Sequence, residues 1–117
     1  MRWDSLYVRK LVDGSPLYVK ISSIGEGVKR AILVYMAAEL FNPLLLLWDD
    51  VEAAAHPSLV RSLIRWLASL DWQVVVTTHS LDVLYLVAVE QPSDAQVIIL
   101  NRESDDTVDY CTLRGDP

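Results

Sequence analysis

The sequence predicts an α/β fold: a mainly parallel sheet with flanking helices and an N-terminal β-hairpin. Three observations carry that reading. Two apolar runs, "LLLLWDD" from residue 44 and "WQVVVTTH" from residue 72, each end abruptly in polar or charged residues, as strands do that are buried along their length and open at their carboxyl ends. Between them lies "PSLVRSLIRWLASL", residues 57–70, the clearest amphipathic stretch of the chain. Only four glycines and five prolines accompany a hydrophobic content of 52% in 117 residues, which favours one compact domain, 1–117, over disorder.

The elements follow in order. "SLYVRKLVDGSPLYVKISS" holds two β-rich runs around Asp13-Gly14-Ser15-Pro16, a turn signal that predicts a hairpin. In "IGEGVKRAILVYMAAEL", Val28, Ile32, Tyr35, Met36 and Glu39 or Leu40 recur at helical spacing between glycines and Asn42-Pro43, predicting a helix over 26–41. Residues 44–49 read as a strand buried on both faces. The helix from Pro57 carries Val60, Leu63, Ile64, Leu67 and Leu70 on one face, and Arg61 and Arg65 on another. "WQVVVTTH" is a second buried strand, "SLDVLYLVAVE" a helix and "AQVIILN" a third apolar strand. Alternation at this spacing implies parallel strands joined by right-handed crossovers. After the turn-like "ESDD", a last strand near 107–113 is expected to pair antiparallel at an edge. No repeat, low-complexity tract or linker interrupts the chain.

Composition narrows the function classes. A net charge of −6 and a pI near 4.7 give no general affinity for phosphate backbones or anionic membranes, so nucleic-acid binding is not supported. The single cysteine, Cys111, excludes an internal disulfide and reads as a small strand residue. Residues 31–48 are mostly apolar, but Glu39, Asn42 and Pro43 interrupt them, so no membrane span is expected. Asp4 in "MRWDSL" stands where a signal peptide would need apolar residues. The expected compartment is the cytoplasm.

Chemistry concentrates at two strand ends. Asp49 and Asp50 follow the first buried run, with Glu52 close behind, and Thr77-Thr78-His79-Ser80 follow the second. In parallel α/β sheets ligands bind at the carboxyl ends of the strands. If these strands are neighbours, two carboxylates, a histidine and several hydroxyls converge. Adjacent carboxylates at the edge of a core are costly unless solvated, used as a cap for the helix at Pro57, or matched by a cation. A hydrolase triad from His79, Ser80 and an aspartate is disfavoured, because sequence neighbours rarely meet in triad geometry and no nucleophile elbow is present. A transition-metal site from Asp49, Asp50, Glu52, His56 and His79 lacks any H-E-x-x-H or paired-cysteine spacing.

The order "SSIGEGVKRAIL", "LLLLWDDVEAAAHP", "VVVTTHS" resembles the second half of an ABC-type ATPase of the branch containing RecF, SMC-like and OLD-type ATPases, an AAA-type ATP-binding domain. The resemblance covers residues 20–90. It implies a P-loop NTPase-like half domain, the C-terminal lobe of such an ATPase, with the signature motif over about 22–30, Walker B over 44–50 and the switch histidine at 79. It further implies ATP and Mg²⁺ as cofactors. Asp49 would hold the magnesium water shell, Asp50 would stand where the family usually places the glutamate that polarises the attacking water, and His79 would sense the γ-phosphate. Ser23, Gly25 and Glu26 match the signature loop, which in the family completes the site of an opposite subunit, so a homo-oligomer is implied. Glu52, His56 and Pro57 match the segment along that subunit interface.

Two departures stand out. Aspartate at position 50 is one methylene shorter than glutamate, which implies slow hydrolysis. Nothing among the 117 residues fits G-x-x-x-x-G-K-[ST], the loop that cradles phosphates. The expected function is therefore a lobe of a Mg-ATP site completed by a P-loop-containing segment or protein, silent when isolated. The alternative is a non-catalytic regulatory or remnant lobe that acts as a protein-interaction module.

Overall fold

Asp13 and Gly14 both adopt positive φ, 49° and 80°, the backbone that a two-residue hairpin turn requires and that Asp-Gly supplies at low cost. They join β1 (Tyr7–Val12) to β2 (Ser15–Lys20) in antiparallel register, Val12 opposite Ser15. The computed structural model describes residues 6–114. Asp4, used in the sequence reading, lies outside them. A 3₁₀ turn over Ile21–Ser23 leads to α1 (Glu26–Phe41), which ends where Asn42 turns left-handed and donates its N–H to Ala38 O at 2.9 Å, just before Pro43. β3 (Leu45–Trp48), α2 (Pro57–Ala68), β4 (Gln73–Val76) and α3 (Leu81–Glu90) follow. β5 (Gln96–Arg102) and β6 (Val108–Arg114) close the chain as an antiparallel hairpin.

β3 and β4 are parallel neighbours, in register from Leu45 opposite Gln73 to Trp48 opposite Val76. Helices α1, α2 and α3 bring Ala31, Val60, Leu63, Ile64, Leu67, Val83 and Leu86 against Trp48 and Val51 to make the core. The face of α2 expected from its spacing is the one buried. Its opposite face carries Arg61 and Arg65, whose Nε atoms lie 3.0 and 2.6 Å from the Glu90 carboxylate of α3.

That ion pair sets a pH dependence. The hydrogen bond from Arg65, assisted by the charges of Arg65 and Arg61 and opposed by burial, holds the Glu90 carboxyl below the usual range. A depressed folded-state pKa stabilises the fold above the unfolded value and is lost as pH falls through the folded one. Thermal unfolding monitored by circular dichroism is expected to show a midpoint that falls below about pH 4.3, the ordinary glutamate value, with a shallower fall in Glu90→Gln. The arginine side chains are 44% and 63% exposed, so salt screens the effect and keeps it small.

Four expectations need correction. First, β3 is buried on one face only: Trp48 is buried and Leu46 half-buried, while Leu47 is 69% exposed and Leu44, just before the strand, 88%. The helices cover one side of the two-stranded sheet and no described residue covers the other. Second, α1 buries Gly27, Ala31 and Ala38, whereas Tyr35, Met36 and Leu40 stay exposed, because small side chains let this helix approach the backbone that follows β3. Third, the mainly parallel sheet reduces, among the described residues, to one parallel pair; β5 pairs with β6 instead of extending it. Fourth, a compact domain of this length has a radius of gyration of about 13 Å, and this chain measures 17.4 Å with extents of 56 × 34 × 27 Å. The two hairpins extend away from the helical core and keep apolar side chains such as Leu11, Leu100 and Tyr110 in the open.

Candidate functional site

Because β3 and β4 are parallel and in register, Asp49-Asp50 and Thr77-Thr78-His79 leave the sheet side by side at its carboxyl end. Pairing continues past the strands: Thr77 donates its N–H to Trp48 O at 2.9 Å, and Val51 donates its N–H to Thr77 O at 3.2 Å. The Thr77 hydroxyl binds both acids. Its Oγ1 donates to Asp49 Oδ1 and accepts the Asp50 N–H at 2.9 Å. Asp50 sits at φ 48°, a left-handed backbone that aspartate tolerates better than most residues, and there the chain turns back towards the core, where Val51 is 1% exposed.

The turn brings Asp50 and His79 face to face. His79 Nε2 stands 3.8 Å from Asp50 Oδ1, with the side chains 91% and 47% exposed. That is beyond hydrogen-bond length, and both side chains are open to solvent, so a ligand group could approach the two from outside. Glu52 lies behind the pair and accepts the His79 backbone N–H on Oε1 at 2.9 Å. Burial raises the Glu52 carboxyl, but hydrogen bonding led by the His79 amide outweighs it and holds the group below the usual range.

Helix α1 is fixed to the same turn. Arg30 donates from Nη1 to Asp50 O at 3.0 Å and from Nη2 to Asp49 O, with its guanidinium 5.7 Å from the Trp48 ring centroid, within cation–π range. Ser23, Gly25 and Glu26 lie at the start of that helix. Gly25 is its N-cap without a side-chain hydrogen bond, and its carbonyl accepts from the Val28 and Lys29 amides. Glu26 pairs with Lys29 at 2.5 Å. The start of α1 is thus tied to the turn that carries the two aspartates through Arg30 and the backbone carbonyls of Asp49 and Asp50.

Arg30 was invisible to sequence reasoning because it bonds backbone carbonyls, which leave no residue pattern. Thr77 was visible only as one of several hydroxyls. His56 caps α2, its Nδ1 accepting the Ser58 N–H at 3.3 Å, and Pro57 fills the first helical turn, so Asp49 and Asp50 are not caps. Ser80 caps α3 by accepting the Asp82 N–H at 3.2 Å, and no hydrogen bond among the described residues joins its hydroxyl to the His79 ring, as a triad requires. Among the described residues no group of three or more His, Cys, Asp and Glu side chains could hold a metal by itself. The oxygen donors at Asp49 and Asp50 do suit magnesium, which takes one or two carboxylates and fills its shell with water and phosphate oxygens. An apolar groove between α1 and α2, lined by residues including Ile32, Tyr35 and Trp66, lies away from these acids. No helix among the described residues is long and apolar enough to cross a membrane.

Residues 2–85 match the family model described as "AAA domain, putative AbiEii toxin, Type IV TA system". The fold is similar to that of a chain from structural work on ATP-driven dimerization and DNA-stimulated activation of SMC ATPases, with a TM-score of 0.67 and 15% identity over 92% of this chain. This chain spans 65% of that one. No curated protein matches the sequence.

Proposed function

The chain belongs to this family of AAA domains, and from that premise we propose that residues 1–117 form the C-terminal lobe of an ABC-type ATPase. In this reading the lobe contributes the signature segment (22–30), Walker B (44–50) and the switch histidine (79) to a Mg-ATP site whose P-loop comes from another segment or protein. The supporting observation is the meeting of Asp50 and His79 at 3.8 Å across the ends of adjacent parallel strands.

Each group then has a defined task. Asp49, oriented by Thr77, would hold the water shell of the metal; Asp50 would polarise a water; His79 would contact the terminal phosphate. Such reactions are promoted mainly by positioning and electrostatic stabilisation. Bound Mg-ATP supplies the electrophilic phosphoryl group and the neutralising charge. The amides opening α1 beside Ser23, Gly25 and Glu26 suit a phosphate of a second copy, and Glu52, His56 and Pro57 lie along the surface facing that copy.

The isolated chain is expected to show no ATP turnover in a phosphate-release assay, since its 117 residues hold no G-x-x-x-x-G-K-[ST] loop to cradle the phosphates. Robust hydrolysis abolished by Asp50→Asn would overturn the need for an external P-loop. A second reading, a non-catalytic interaction lobe, is favoured by the exposed apolar rows on β3, α1 and the hairpins. The two part in a reconstituted complex with a P-loop partner: Asp49→Ala and His79→Ala abolish turnover in the first and alter only association in the second.

A further inference from the structure

The His79 imidazole is 91% exposed and makes no hydrogen bond of its own among the described residues, so its position depends on the backbone beneath it. That backbone lies in the segment from Thr77 to Ser80, after β4 has ended and before α3 begins. Three successive residues of the facing turn bind it. The Asp50 N–H bonds the Thr77 hydroxyl, the Val51 N–H bonds Thr77 O, and the Glu52 carboxylate accepts the His79 N–H. Val51 anchors the turn in the core. Only the Glu52 bond reaches His79 itself. Glu52 uses one oxygen for it; Oε2 is buried without a partner.

We propose that Glu52 is a positioning residue for His79: its carboxylate, fixed on the turn that also carries Asp50, clamps the His79 amide so that the imidazole faces the Asp50 carboxylate. The clamp makes the Asp50–His79 spacing a property of one rigid turn rather than of two independent loops. It builds on the reading of Asp50 and His79 as catalytic groups, but its geometry is testable without ATP. Because one acceptor oxygen suffices, the amide isostere should replace the carboxylate.

The experiment is NMR on the whole chain with Glu52→Gln and Glu52→Ala. In Glu52→Ala the His79 amide is expected to exchange at least about tenfold faster, the order expected for one lost charge-assisted hydrogen bond, while the Leu63 and Ile64 amides are unmoved. Glu52→Gln should restore protection to within about threefold, since it keeps a neutral acceptor. The deciding readout is the His79 ring resonances: Asp50→Asn should shift them in the wild type and in Glu52→Gln, and no longer in Glu52→Ala. Unchanged amide protection in Glu52→Ala, failure of Glu52→Gln to rescue, or a ring that still senses Asp50 without Glu52 would each overturn the clamp. Absence of ATP turnover in the assembled protein would overturn the ATPase reading alone and leave these results standing.

Discussion

Gly27→Ala is expected to lower the thermal unfolding midpoint by about 8–10 °C, equivalent to about 2 kcal/mol for a domain of this size. A Cβ at position 27 would stand 2.3 Å from Ala54 O, 2.8 Å from Ala54 C and 2.8 Å from Ala55 Cα. All three atoms are backbone, so no side chain can swing aside. Helix propensity alone favours alanine by about 0.8–1 kcal/mol. Overpacking costs about 1–3 kcal/mol and occasionally more, and contact with a carbonyl at this distance belongs at the upper end. The clash therefore wins. Ala54 already holds φ 56°, a left-handed backbone that costs alanine about 1–2 kcal/mol, which leaves the turn little room to yield. Gly25→Ala is the control: its Cβ meets nothing within 4 Å and should leave the midpoint within a few degrees. Equal stability of Gly27→Ala and the wild type, measured by circular dichroism, would refute the close packing of α1 on the 51–55 turn.

That packing shows what the sequence could and could not reveal. The limits of α1 were legible because glycines open it and Asn42-Pro43 close it, and each acts locally on the backbone. Its buried face was not. The large residues Val28, Ile32, Tyr35 and Met36 gave the stronger periodic signal, yet the helix turns Gly27, Ala31 and Ala38 inward, since approach distance and not side-chain volume decides this contact. In α2 the buried face was legible because large apolar and charged residues segregate cleanly. The strand at 45–48 was legible as a strand, but its burial was not, because an unbroken apolar run records what a sheet can accept and not whether both faces are covered. The adjacency of Asp50 and His79 followed from two matched strand ends, a pattern with period and position. The ties that hold them, from Arg30 and Glu52 to backbone atoms, followed from nothing in the sequence.

Asp50 is the position at which the proposed chemistry has its largest expected effect. In a reconstituted, P-loop-containing assembly, Asp50→Asn should reduce turnover by at least about a hundredfold, the usual scale for removing a general base. The fold should survive, because asparagine tolerates the left-handed backbone at φ 48° as well as aspartate does. Asp50→Glu should act in two opposed ways. The longer side chain reaches about 1 Å further towards an attacking water, and a catalytic group misplaced by that distance can cost about a hundredfold in rate. Glutamate, however, lacks aspartate's tolerance of the left-handed region, at a local cost on the order of 1 kcal/mol. Since one kcal/mol offsets only about a fivefold change, the gain in reach should prevail: turnover rises while the unfolding midpoint falls slightly. Wild-type turnover in Asp50→Asn would remove Asp50 from the chemistry. Slower turnover in Asp50→Glu than in the wild type would show that the backbone at this turn, and not the length of the side chain, limits the rate.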